Sequence, residues 1–378
     1  MHTQLVVIQP TSFCNIDCQY CYLPGRAIAR RMQPETLEQA FKVLFASPFL
    51  ADEVLILWHA GEPLVLPTGF YERAFQLQQK WNHKQIQVSN AIQTNATLIT
   101  QRWCQFFQDH HIHVGVSLDG TREMNDARRV DRAKRGTFER AMRGIELLQA
   151  NNIAFSVISV ITELSVQQPD QFWQFFAGLR PYSLGLNPEE AEGVNITSSL
   201  HTEEGIRDYK RFIQRLLALN EQSPDPLVIR EINHLLDLIQ ASELSVHAQT
   251  NVPMAILNFD CDGNFSTFSP ELLGISHPLY GNFHFGNVFE HELTTIYTHP
   301  TFRRVWQEIQ EGVRQCARTC PYFKICGGGS PSNKLHENGT FASTETMNCR
   351  LQIQVPTDAL LEHLERKYQL PSPPDTEV

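Results

Sequence analysis

Three cysteines within eight residues restrict the fold of this chain more than any other feature. Cys14, Cys18 and Cys21 have the spacing C-x3-C-x2-C and directly follow an apolar segment at residues 5–8. A disulfide framework would leave one of the three thiols over. Three thiolates on one short loop can instead converge on a single [4Fe–4S] cluster and leave one iron open to an outside ligand. A zinc knuckle that lacks one ligand and three structural thiols are the alternatives.

Short apolar segments alternate with helical patterns through the first half of the chain. Between two of these segments, Phe138, Met142, Ile145 and Leu148 recur with the spacing of one helical face. Repeated strand–helix units predict parallel strands in a barrel-like sheet, whose functional residues gather at the C-terminal ends of the strands. The predicted strands are residues 5–8, 54–58, 86–93, 113–118, 155–161 and 183–186.

Polar residues and turn residues follow several of these strands. Glu62 lies in the turn at residues 60–63, Asn95 ends the third strand, and Ser117 begins a Ser-Leu-Asp-Gly turn after the fourth. Parallel strands bring such ends to the edge where the cysteine loop emerges. We therefore predict functional roles for these residues, although the Ser117 turn alone could be a plain turn.

A second cysteine group lies near the C-terminus, where Cys316, Cys320, Cys326 and Cys349 form a C-x3-C-x5-C…C pattern. Four thiolates complete either a tetrahedral zinc site or a fully ligated [4Fe–4S] cluster, and spacing does not distinguish the two. A hairpin with an Asp-Gly turn is predicted upstream, at residues 257–265. The remaining cysteines, Cys104 and Cys261, are predicted to be buried thiols.

Composition narrows the class of protein. The 378 residues carry a net charge of -10, which disfavours nucleic acid as a partner because phosphate binding needs a basic surface. A run of 18 apolar residues, as a membrane-spanning helix would need, is absent from the sequence. The first residues show no signal-peptide pattern. The nine cysteines are therefore interpreted as thiols and cluster ligands in a reducing cytoplasm.

The cysteine loop, with Tyr22 after its third cysteine, and the strand-end turns resemble those of radical S-adenosylmethionine (SAM) enzymes. The resemblance implies an α/β fold, a partial (β/α)6 TIM-like barrel, with SAM chelating the open iron. It implies that Glu62 accepts a hydrogen bond from the SAM ammonium, that Ser117 binds the ribose, and that Asn95 also contacts SAM. Arg129 would pair with the SAM carboxylate, although its basic surroundings could also be a solvated loop. Ala60 replaces the first glycine of the G-G-E-P element, a change that should keep the turn.

The C-terminal cysteines resemble the SPASM extension of radical SAM peptide maturases, whose full pattern has seven cysteines and two auxiliary clusters. Phe268 and Ser330 stand where two of these cysteines are expected. The resemblance therefore implies one auxiliary [4Fe–4S] cluster held by the four C-terminal cysteines, and two clusters in all. The predicted organisation is a radical SAM barrel at residues 1–222, a helical linker at 223–250, a SPASM-like domain at 251–370 and a disordered tail at 371–378.

Residues 263–272 and 326–351 resemble the GRRM-system maturases of cyanobacteria, which form three-residue cyclophanes. This resemblance implies a glycine-rich ribosomal precursor peptide, a C–C bond from an aromatic ring carbon to a Cβ, and a flavodoxin- or ferredoxin-type reductant. Glu271 is the candidate proton acceptor, although it could be a surface carboxylate; Asp260 and Asp262 are weaker candidates. Alternative functions are thioether or formylglycine formation, or a non-enzymatic electron carrier or zinc-binding scaffold.

Overall fold

Six parallel strands in sequence order form the centre of the molecule. The computed structural model describes residues 2–240 and 248–369. Each of the first five strands pairs in parallel with the next, which confirms the predicted α/β fold. The largest difference from the prediction is at the second strand, which begins four residues earlier. The strands are β1 (Thr3–Ile8), β2 (Leu50–Trp58), β3 (Gln87–Thr94), β4 (His113–Ser117), β5 (Phe155–Ile161) and β6 (Leu184–Pro188).

Amphipathic helices connect these strands and bury one face against the sheet. The predicted face at residues 138–148 lies on one of them, with Ile145 and Leu148 fully buried and Phe138 and Met142 partly buried. Threonine side chains cap two of the helices, since Thr100 and Thr121 each accept a hydrogen bond from the backbone N–H three residues later. The helices are α1 (Pro34–Ala46), α2 (Thr68–Trp81), α3 (Gln101–Asp109), α4 (Arg122–Arg128), α5 (Phe138–Ala150), α6 (Glu163–Gln167) and α7 (Pro169–Leu179).

The predicted Asp-Gly hairpin forms and extends the same sheet. Its strands, β7 (Ile256–Phe259) and β8 (Asn264–Thr267), are antiparallel to each other, and β7 pairs in parallel with β1. The full order is β11-β8-β7-β1-β2-β3-β4-β5-β6, while β9 and β10 form a separate pair. The C-terminal third of the chain therefore shares a sheet with the first strand. The remaining strands are β9 (Ser276–His277), β10 (Gly281–Asn282) and β11 (Gly286–Asn287).

The remaining helices cover the sheet and carry the second cysteine group. The helix in the predicted linker begins only at Arg230, because Val228 and Ile229 lie extended beside β6. Lys210, in the helix that precedes the predicted linker, pairs with Glu362 in the last helix at 2.6 Å and so joins the two helices. The helices are α8 (Glu203–Gln222), α9 (Arg230–Gln240), α10 (Pro300–Thr319), α11 (Phe323–Cys326), α12 (Pro331–Asn338), α13 (Met347–Cys349) and α14 (Val355–Tyr368).

A π-helical segment, Arg350–Gln354, separates α13 from α14.

None of the helices within residues 2–240 and 248–369 combines the length and apolarity needed to cross a membrane. The predicted disordered tail lies outside the described residues, as does part of the predicted linker. The predicted domain boundaries stay a prediction.

A buried aromatic residue occupies the position where the resemblance would place a cysteine. Phe268 is fully buried and its ring stacks on Phe302 with 5.7 Å between centroids. Its φ of 74° lies in the left-handed region, so local strain is tolerated to bury this ring. The two remaining cysteines, Cys104 and Cys261, are also buried free thiols, as predicted. The packing of Phe268 on Phe302 thus fills the space where the resemblance would place a cysteine.

We expect Phe268→Ala to destabilise the protein by about 3–5 kcal/mol, because it leaves a cavity where a buried ring was packed. Anaerobic urea unfolding would measure the loss. Phe289 is 56% exposed, so Phe289→Ala is the matched control and should change stability by less than about 0.5 kcal/mol. Equal losses in the two variants would contradict this account of the packing.

Candidate active site and second cysteine site

The cysteine loop after β1 rests on the turn that follows β2. The Glu62 N–H donates to the Phe13 carbonyl at 2.8 Å. A Cβ on Gly61 would lie 2.5 Å from that same oxygen, so only glycine allows this approach. Ala60 keeps the turn, as predicted, but holds a φ of 70° that costs a non-glycine residue roughly 1–2 kcal/mol.

One cavity of about 310 Å³ collects the site residues predicted in the first half of the chain, together with Glu271. It lies where the C-terminal ends of the parallel strands meet the cysteine loop. The predicted residues that line it are Cys14, Cys18, Cys21, Glu62, Asn95, Ser117, Arg129 and Glu271. The sequence therefore identified which residues meet; their individual roles stay predictions.

Glu62 is a buried carboxylate that joins the ends of β2 and β3. It accepts hydrogen bonds from the Leu64 N–H, the Thr94 hydroxyl and the Asn95 N–H, at 2.7–2.9 Å. Burial nevertheless raises the pKa of Glu62 to about 7, because the low-dielectric surroundings disfavour its charge. The Asn95 amide donates to the Cys14 sulfur at 3.8 Å. These contacts tie the first cysteine to the strand ends.

Arg129 lies beneath the loop in a buried ion pair. Its guanidinium is 3.0 Å from the Asp119 carboxylate and donates to the Cys18 sulfur at 3.8 Å. The ring of Tyr20 lies 5.4 Å from the guanidinium carbon. Within the described residues, the buried Arg129 Nε has no hydrogen-bond partner. Arg129 also lines the cavity, which is where the predicted pairing with the SAM carboxylate would take place.

Ser117 lines the cavity at the end of β4. Its hydroxyl accepts a hydrogen bond from the Gln93 side-chain amide at 2.8 Å. Its own proton can still be donated to a ligand, as the predicted ribose contact requires.

Three carboxylates face the far side of the same cavity, and sequence analysis assigned a role to only one of them. Glu190, Glu192 and Glu271 line it together. Burial raises the pKa of Glu271 to about 7, and the neighbouring Glu190 adds to the shift. Burial also raises the pKa of Glu190 and of Glu192, which are hydrogen-bonded to each other. Close carboxylates share a proton more readily than they ionise together.

Sequence analysis missed several lining residues. Glu190 and Glu192, which follow β6, line the cavity without a role predicted from sequence, and Asp119, predicted only as part of a turn, pairs with the lining residue Arg129. His59 and Tyr22 also line the cavity, with 3.4 Å between the Tyr22 hydroxyl and His59 Nε2. His59 directly follows β2, and Tyr22 directly follows Cys21. These positions are the signals by which the sequence could have identified the two residues.

The four C-terminal cysteines line a second cavity of about 310 Å³, at the end of α10 and around α11 and the π-helical segment. Three of the sulfurs accept hydrogen bonds: Cys316 from the Lys334 ammonium at 3.6 Å, Cys326 from the Gly328 N–H at 3.4 Å, and Cys349 from the Gln354 amide at 3.8 Å. Sulfurs that each receive an N–H donor fit thiolate ligands of a cluster.

In both groups the cysteine side chains line a cavity and do not converge on one point. Among the residues that the structure describes, no three His, Cys, Asp or Glu side chains are close enough to hold a single metal ion. Each cavity is far larger than one ion. Each cavity therefore has room for a multi-iron cluster held by its cysteines.

Comparison with known proteins places the chain among relatives of similar architecture. The model of the Radical SAM superfamily matches residues 8–176. The uncharacterized protein sll1766 of Synechocystis sp. is 42% identical over 372 residues, which cover 97% of this chain and 94% of that protein. A serine-type anaerobic sulfatase-maturating enzyme of Bacteroides thetaiotaomicron is 24% identical, with 87% of this chain and 83% of that protein covered.

Two solved structures share the fold. Native anSMEcpe with bound AdoMet superposes with a TM-score of 0.80 at 21% identity, covering 97% of this chain and 99% of that one. Streptococcus suis SuiB bound to the precursor peptide SuiA gives a TM-score of 0.66 at 16% identity, covering 92% of this chain and 76% of that one. At these identities the likeness establishes the fold alone.

We expect anaerobically reconstituted protein to contain about eight iron and eight sulfide ions per chain, because a cubane cluster holds four of each. Iron and sulfide analysis measures the content. A Cys316→Ala/Cys320→Ala double variant is the matched control and should contain about half as much. A content near twelve, or zinc at the C-terminal site, would contradict the assignment of two clusters.

Proposed function

The chain belongs to the radical SAM superfamily, and from that premise we propose that it is a peptide maturase that forms cyclophanes. The observation that carries the proposal is the cavity shared by the three-cysteine loop and the Glu271 carboxyl. It is supported by relatives that mature sulfatases and by the fold shared with a structure bound to its precursor peptide. The proposed substrate is a glycine-rich ribosomal precursor.

The first cavity would hold a [4Fe–4S] cluster on Cys14, Cys18 and Cys21, with SAM beside it. A reduced cluster of this kind supplies cleavage of bound SAM to methionine and a 5′-deoxyadenosyl radical that removes a hydrogen atom from the substrate. Glu62 offers a buried acceptor for the SAM ammonium, and the Arg129 guanidinium, which lines the same cavity, suits its carboxylate. Asn95 and Ser117 complete the polar lining. A flavodoxin- or ferredoxin-type protein would supply the electron.

The second cavity would hold an auxiliary [4Fe–4S] cluster on Cys316, Cys320, Cys326 and Cys349. Such a cluster supplies an acceptor for one electron from the substrate. Forming one C–C bond between a Cβ and an aromatic ring carbon removes two hydrogens. One leaves as a hydrogen atom that ends in 5′-deoxyadenosine. The other leaves as a proton and an electron when the ring regains aromaticity.

Glu271 would accept the ring proton. It lies in the same cavity as the cysteine loop, and a pKa of about 7 suits a general base near neutral pH. The neighbouring pair, Glu190 and Glu192, could receive the proton next because the two already interact.

Formylglycine formation is the second candidate, favoured by the similarity to sulfatase-maturating enzymes. Phe268, buried where the SPASM pattern has a cysteine, argues against a second auxiliary cluster. Oxidation of a serine removes two hydrogens, as does one crosslink, so mass alone does not separate the reactions. Treated precursor should therefore be probed with an aldehyde reagent and fragmented. A ring that resists fragmentation supports the cyclophane, whereas a reactive aldehyde supports formylglycine.

Loss of either cysteine group should affect a different step. We expect Cys14→Ala to abolish 5′-deoxyadenosine formation, because the cluster beside SAM loses a ligand. Cys320→Ala should still form 5′-deoxyadenosine but little crosslinked peptide, because the electron has no acceptor. Both products are measured in one reaction by liquid chromatography and mass spectrometry, on Cys320→Ala protein that keeps its first cluster by spectroscopy. Wild-type crosslinking by Cys320→Ala would make the second cluster structural.

We expect the yield of crosslinked peptide per 5′-deoxyadenosine to rise between about pH 6 and pH 8, because Glu271 acts as a base only when ionised and its pKa is about 7. Glu271→Gln should lower crosslinking by about 10²–10⁴-fold and remove this rise, while SAM cleavage continues. Exposed Glu290→Gln is the control. A Glu271→Gln variant with the wild-type pH profile would show that another group accepts the proton.

A further inference from the structure

A buried lysine lies against one of the C-terminal cysteines. Lys334 is on α12 and only 3% exposed. Its ammonium donates to the Cys316 sulfur at 3.6 Å. Within the described part of the chain it makes no ion pair with a carboxylate, and the Cys316 sulfur is its one recorded hydrogen-bond acceptor. A space-filling role would not need a charged side chain at this position.

Burying an ammonium without a counter-ion is unfavourable, because the charge loses its hydration. The negative charge that would compensate Lys334 is therefore expected on Cys316 and on whatever that thiolate holds. Adding an electron to a thiolate-bound cluster adds one further negative charge beside the ammonium. The charge and hydrogen bonds around cluster sulfurs set the reduction potential. A fixed cation at this distance should favour the reduced state.

The two cysteine sites differ in this respect. Near Cys18 the positive charge of Arg129 is paired with Asp119, and the buried Glu62 carboxylate lies near Cys14 and raises the energy of its thiolate. Near Cys316 the Lys334 cation has no carboxylate partner among residues 2–240 and 248–369. The other donors at the second site, the Gly328 N–H and the Gln354 amide, are neutral. Among the described residues, Lys334 is the charged donor to a sulfur at this site, while the Glu345 carboxylate also lines the cavity.

We propose that Lys334 is a positioning residue that raises the reduction potential of the auxiliary cluster, so that this cluster can accept the substrate electron. The inference rests on the proposed cluster at Cys316, Cys320, Cys326 and Cys349. It does not depend on which peptide is modified or which bond is formed. An electron acceptor needs a higher potential than the cluster that reduces SAM, and Lys334 supplies the difference in charge.

The test is a redox titration of the reconstituted full-length protein, followed by electron paramagnetic resonance. The signal that persists in a Cys14→Ala/Cys18→Ala/Cys21→Ala variant identifies the C-terminal cluster. Lys334→Met keeps the length of the side chain and removes the charge. We expect the equilibrium for reduction to fall at least tenfold, which is a shift of about 59 mV to lower potential for one electron. Lys334→Gln keeps a donor and should shift in the same direction.

Lys324→Met is the matched control. Lys324 lies between Cys320 and Cys326 in the sequence but is exposed, so solvent screens its charge and the potential should not change. An unchanged potential in Lys334→Met, or equal shifts in Lys334→Met and Lys324→Met, would overturn the proposal. Loss of the cluster from both Lys334 variants would make the lysine structural and would also overturn it. Zinc in the wild-type site would refute the cluster assignment itself, a failure distinct from an unchanged potential.

Discussion

The contact between the cysteine loop and the turn after β2 fixes the geometry of the first site. Gly61 allows the Phe13 carbonyl to approach where a Cβ would stand 2.5 Å away. Glu62, the residue after this glycine, accepts a hydrogen bond from the Asn95 N–H. The Asn95 side-chain amide in turn donates to the Cys14 sulfur. The ends of β1, β2 and β3 are thereby held together. These hydrogen bonds hold the cysteine loop in place as one wall of the cavity.

Electrostatics separates the two cysteine sites more clearly than their spacing does. At the first site a buried cation and a buried anion, Arg129 and Asp119, lie side by side, and carboxylates line the remaining cavity. At the second site Lys334 is buried without an acidic partner among the described residues. Sites with the same ligand type can therefore have different redox properties, since charge and hydrogen bonding at the sulfurs determine the potential.

Local patterns in the sequence predicted the strands, both cysteine groups and the residues at the strand ends, because parallel pairing carries such ends to one edge. Contacts between distant segments were not predictable in the same way. A lysine on a polar helix is normally expected to be exposed, and nothing near Lys334 signals its contact with Cys316. Glu192 is buried, and its neighbour Gly193 packs against the Tyr22 carbonyl, a contact with a distant segment. Phe268 was recognised as a missing cysteine, but its stacking on Phe302 required the structure.

The pairing of β1 with β7 has a consequence for biosynthesis. Leu5 is opposite Ile256, so the partner of one edge of β1 is made much later than β1 itself. At ribosomal speeds of ~5–20 residues per second, roughly 10–50 s pass before β7 emerges. During that time the N-terminal strand presents unpaired backbone groups that can join another chain. Nascent molecules are therefore expected to depend on chaperones for longer than the compact final sheet suggests.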